Sequence, residues 1–166
     1  STASVSIAGG TLTLTGSDKA RPGANDNVLS TVPQAYQGGI TGTGGIVKNG
    51  AYTQQLTGAG VTDYTGTTVI NAGTLEAGKV LSTSGITING SGAFTSNVAS
   101  VVNSSVPVNL AGAGSIWTIG NGFSQSVGSL VGVAGGRVVT GTGLDLPIGN
   151  NTGTAKTFGG IISEVG

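Results

Sequence analysis

The chain has 166 residues, with six basic and six acidic side chains and a formal net charge of zero. That length suits one domain over residues 1–166, and zero net charge argues against electrostatic capture of nucleic acid or anionic lipid, which needs a basic face. Cys, Met and His are absent, which excludes disulfides, thiolate nucleophiles, imidazole bases and the common zinc sites.

Glycine supplies 33 residues, yet 37% of the chain is hydrophobic and those residues alternate with polar ones. Alternation argues against disorder, and the glycines follow no three-residue period of the collagen kind. No apolar run approaches the length of a membrane span, so no membrane insertion is expected. The chain opens at Ser1 with no basic, apolar leader. Any secretion signal is therefore expected to have been removed already or left out of the sequence.

Val5 and Ile7, then Leu12 and Leu14, alternate with Ser and Thr on either side of Gly9-Gly10. This is the period of half-buried strands. Residues 17–35 break the pattern. They hold Asp18, Lys19, Arg21, Pro22, Asn25-Asp26-Asn27 and Pro33, which deny regular pairing and predict a protruding loop. Strand signals resume at Tyr36. Turn dipeptides stand at Asn49-Gly50, Asn89-Gly90 and Asn121-Gly122. Strands are expected at Thr67–Ile70, Gly85–Ile88, Val98–Val102, Val106–Leu110, Ser115–Ile119 and Val127–Val131. Arg137–Thr140, Leu144–Ile148 and Thr157–Ile162 complete the series. No window has the apolar spacing of a capped amphipathic helix.

Short strands at close spacing, with Gly and Asn at the corners, predict an all-β chain coiled as a β-solenoid of the parallel β-helix kind. Small Ser, Thr, Val and Ile side chains would stack in ladders inside a narrow core. At roughly 20–25 residues per turn, on the order of seven turns are expected. An antiparallel β-sandwich is the alternative.

The stretch Gly44-Gly45-Ile46-Val47-Lys48-Asn49-Gly50, through Leu56-Thr57-Gly58 to Tyr64-Thr65-Gly66-Thr67-Thr68-Val69-Ile70-Asn71-Ala72-Gly73-Thr74-Leu75, resembles the passenger-associated β-strand repeats of autotransporter proteins. Looser matches are Gly114 to Gly122 with Gln125 to Leu130, and Leu144 to Asn151 with Thr157 to Ser163. The resemblance implies a secreted, extracellular or cell-surface location. Gly10 to Gly16 looks like the continuation that those repeats place after the segment at the C-terminal end.

Neither terminal segment carries a charged cap: residues 160–166 hold one charge and residues 1–17 none. Uncapped solenoid ends predict head-to-tail assembly, by stacking of the ends or by donation of a terminal strand to a neighbour. The expected function is a non-enzymatic subunit of an extracellular filament, with the chain itself as partner. Its interface residues would be Val5, Ile7, Leu12, Leu14, Phe158, Ile161, Ile162 and Val165. The alternative is a passenger segment of an autotransporter adhesin, meeting host or environmental surfaces.

Other chemistry finds little footing. Glycosidic cleavage needs two close carboxylates, and the six acids are Asp18, Asp26, Asp63, Glu76, Asp145 and Glu164. Only Asp18 and Asp26 are near in sequence, beside Lys19 and Arg21. Asn25-Asp26-Asn27 reads as turn chemistry before it reads as a cation site. Gly39 to Gly45 lacks the Gly-Lys-Ser/Thr of a phosphate loop. Trp117 is assigned to the core. Asn103-Ser104-Ser105 and Asn89-Gly90-Ser91 match a glycosylation acceptor pattern that arises often by chance in Ser/Asn-rich chains. No catalytic residue, cofactor or metal is expected.

Overall fold

A computed structural model describes residues 4–15, 34–149 and 157–165. Among them are sixteen short strands, numbered in chain order, and no helix. They form three faces of one coil. The first face holds β1 (Val5–Ile7), β4 (Ile40–Gly42) and β7 (Thr62–Tyr64). The second holds β2 (Thr11–Thr15), β5 (Gly45–Asn49), β8 (Thr68–Ile70), β10 (Ile86–Ile88), β12 (Pro107–Leu110) and β14 (Ser129–Gly132). The third is β3 (Gln34–Tyr36), β6 (Thr53–Leu56), β9 (Thr74–Ala77), β11 (Ala93–Ser96), β13 (Ile116–Ile119), β15 (Arg137–Thr140) and β16 (Ile161–Glu164).

Every strand pairing is parallel, so the molecule is a β-solenoid and not the antiparallel sandwich. It makes about six turns, where on the order of seven were expected. The first turn accounts for the shortfall. Val5 pairs with Ile40 and Thr11 with Gly45, 35 and 34 residues on. Later turns take 18 residues (Thr68 to Ile86) to 24 (Arg137 to Ile161). The extra length falls between Thr15 and Gln34. The loop expected over 17–35 thus lies outside the described residues, except Gln34 and Ala35, which belong to β3.

The core follows from period two. Along the second face, Ile46, Thr68, Ile86, Val108 and Leu130 align in one buried ladder. Along the third, Leu75, Phe94, Trp117 and Val138 align likewise. Trp117 is fully buried, as the sequence suggests. Its indole Nε1 donates to Ser96 Oγ at 2.9 Å, and its ring lies 6.4 Å from that of Phe94. Two turns of solenoid therefore share one aromatic contact. The expected Asn-Gly corners are present: Gly50, Gly90 and Gly122 have φ of 78°, 51° and 79°, which a side chain disfavours. At the corner after the second face, Asn71 Nδ2 donates to Asn49 Oδ1 and Asn89 Nδ2 to Asn71 Oδ1, at 2.8 and 2.9 Å.

Two expected strands are corrected. Val98–Val102 holds only an isolated bridge at Val102, and the strand of that turn is β11, just upstream. Ser100 adopts φ 50°, which no extended strand accommodates. Leu144–Ile148 contributes only the bridge from Ile148 to Val127.

Candidate functional site

The eight residues expected at an interface fall at opposite ends of the stack. Val5 and Ile7 lie on β1, and Leu12 and Leu14 on β2, in the first turn. Ile7 is buried, and the other three pack half-buried against the core. With Tyr36, Ile40, Gln54 and Leu56, three of them line an apolar hollow of about 140 Å³. At the far end Phe158 bridges to Gly132 and is half-buried. Ile161, Ile162 and Val165 are 56%, 52% and 49% exposed. Ile162 continues the inner ladder beyond Val138, and no strand among the described residues pairs beyond β16.

Two lysines reach backbone carbonyls. Lys48 is completely buried on the inner side of β5. Its Nζ donates to the carbonyls of Asn49, Gly50 and Ala72 at 3.1, 2.8 and 3.1 Å and sits 3.8 Å from the Tyr52 ring centre. A buried ammonium needs this many partners. Desolvation raises the pKa of Tyr52 above the usual tyrosine value. Lys79 Nζ donates to Gly38 and Gly60, carbonyls of two successive turns, at 2.9 and 3.0 Å. Burial holds its pKa below the usual lysine value. Alternation already places Lys48 in line with Ile46, the signal by which its burial could have been read.

A concavity lies on the first face, where strand pairing stops at β7. Beyond it only the bridges Leu81 to Val102 and Val127 to Ile148 continue the ladder. A groove of about 790 Å³ opens there, lined chiefly by Ser82, Thr83, Ser84, Ser100, Asn103 and Ser104 with the neighbouring Val80, Leu81 and Ser105. Side chains replace backbone pairing around it. Gln125 Oε1 accepts from Val101 N at 2.8 Å, and its Nε2 donates to Val98 O and Phe123 O. Thr83 Oγ1 bonds to the carbonyls of Gly66 and Gly85 and to Thr68 Oγ1. Thr68 Oγ1 in turn meets Tyr64 Oη at 2.7 Å. Burial pushes the Tyr64 pKa up to about 12, against the opposing pull of Thr68 and Thr83.

The carboxylates are dispersed. Asp63 and Asp145 are exposed. Glu76 accepts from Gln55 Nε2 and Asn97 Nδ2, and Glu164 from Gly143 N. Asp18 and Asp26 lie outside the described residues. Among the described residues no three His, Cys, Asp or Glu side chains cluster as metal ligands.

The sequence matches the adhesin BmaC autotransporter of Brucella suis biovar 1 (strain 1330), 44% identical over 68 residues. That match covers 41% of this chain and 2% of the adhesin. No family model matches the chain, and no solved structure does. A partial likeness to an autotransporter adhesin thus accompanies a parallel β-solenoid with passenger-like repeats.

Proposed function

We propose that the chain is a module of the surface-displayed passenger region of a bacterial adhesin, with no reaction of its own. The partial likeness to an autotransporter adhesin carries the reading, and the parallel solenoid supports it. A stacked coil projects surface away from a cell with few charges and no cofactor. A secreted or cell-surface location belongs to the same reading. The partners would be host or environmental surfaces met by the outer faces of the coil.

The test is display. The chain is fused between a secretion leader and an outer-membrane translocator, and intact cells are scored for surface protease cleavage and for attachment to epithelial cells and glass. Surface exposure with attachment several-fold above cells displaying an unrelated solenoid is expected. Failure to reach the surface, or attachment equal to the control, sinks the reading.

A second reading is end-to-end assembly into a filament through the eight interface residues. Electron microscopy of the purified chain and of an Ile162→Asp, Val165→Asp variant tests it. Filaments from the first alone support assembly; dispersed particles from both overturn it.

A further inference from the structure

Two segments match the Asn-x-Ser acceptor pattern, and the fold treats them differently. Asn89 is half-buried and its Nδ2 already donates to Asn71 Oδ1 at 2.9 Å. Asn103 is exposed, as are Ser104 and Ser105. Its main-chain carbonyl accepts from Val106 N at 2.9 Å, closing a tight turn. Its Oδ1 accepts from both the backbone N and the Oγ of Ser105, each at 3.0 Å. No hydrogen bond engages its Nδ2 among the described residues. The next turn of the coil packs closely against this one, with Gly128 N donating to Val106 O at 2.9 Å. A Cβ on Gly128 would lie 2.2 Å from Ser105 O.

We infer that Asn103 is a glycosyl acceptor, a site at which a sugar is attached through the side-chain amide nitrogen. The Ser105 hydroxyl donates to the carboxamide oxygen, draws charge toward it and makes the Nδ2 protons more acidic. Both bonds to Oδ1 also fix the rotamer that leaves Nδ2 unengaged. The donor is a sugar whose anomeric carbon bears a phosphate-linked leaving group. Nδ2 forms the new bond to that carbon as the carbon–oxygen bond to phosphate breaks. The electron pair leaves with the phosphate, and one Nδ2 proton passes to a base of the transferase. The groove beside Asn103, about 790 Å³ and lined by hydroxyls without a charged side chain, leaves room for the first sugar and polar partners for it. An attached glycan supplies hydration to a surface with few charges and no net charge.

The test uses the folded full chain, UDP-glucose and an asparagine glycosyltransferase that accepts Asn-x-Ser/Thr in peptides, with peptide mapping by mass spectrometry. Mapping keeps Asn103 apart from Asn89 and from Asn150-Asn151-Thr152, which lies outside the described residues. Hexose on Asn103 at least tenfold above Asn89 is expected in the folded chain, falling to near equality in two synthetic peptides carrying the same motifs. Ser105→Ala should lower modification at least tenfold, and Ser105→Thr should restore it. Equal labelling of Asn89 and Asn103 in the folded chain overturns the inference. So does a folded chain that stays unlabelled at Asn103.

Discussion

The third face and the first face of the coil are both built of short parallel strands and differ in continuity. The third carries seven strands in unbroken register, with Phe94 and Trp117 stacked inside. The first stops after three strands and goes on as single bridges held by Gln125 and Thr83. A continuous parallel face satisfies its backbone groups by repetition, so its residues answer to packing alone. Where repetition stops, side-chain amides and hydroxyls must take over the backbone groups. That exchange leaves a groove in the outer surface of the coil.

The contrast can be broken at several points. Trp117→Ala, in the middle of the continuous face, should destabilise the fold by about 3–5 kcal/mol, the range for emptying a large aromatic site. Urea unfolding reads it, and a change under 1 kcal/mol would mean that the aromatic pair does not organise that face.

Tyr64 ends the first face and ties it to the second through Thr68. Its folded pKa is raised from 10 to about 12. The fold therefore keeps its full Tyr64 contribution below pH 10 and loses it as pH climbs through 12, by roughly 3 kcal/mol for a two-unit shift. Tyr52, also raised, works in the same sense. Lys79, with its lowered pKa, works oppositely as pH approaches 10.5. Unfolding measured from pH 9 to 12 should show a steeper loss in the natural chain than in Tyr64→Phe. Identical slopes would leave Tyr64 without the buried environment described.

The smallest effect belongs to the groove. Ser104→Ala should change stability by less than about 0.5 kcal/mol, as surface substitutions do. A loss near that of Trp117→Ala would erase the distinction between the two faces.

Much of this was legible in the chain itself. Val5, Ile7, Leu12 and Leu14 alternate as the half-buried strands β1 and β2 require, and the Asn-Gly pairs mark true corners. Trp117 reads as core. The turn number was overestimated, because an average period hides one long first turn. The strand at Val98–Val102 was misplaced because its three valines favour strand, while the backbone at Ser100 turns left-handed. The groove left no local signature. It arises where segments of successive turns fail to align, and alignment between residues some twenty positions apart is a property of the stack. Lys48 was hidden by its charge, although its spacing from Ile46 pointed inward.

The parallel register has a mechanical consequence. Each turn is bonded to its neighbours along the stacking direction, so tension on one chain terminus detaches turns singly from that end. A turn of 22 residues, such as Ile40 to Thr62, then yields on the order of 70 Å of extended chain in exchange for about 4.8 Å of stack. A coil tethered at one end and loaded at the other would replace each lost turn by chain roughly fifteen times longer than the stack it vacates, and so would give way in steps under load.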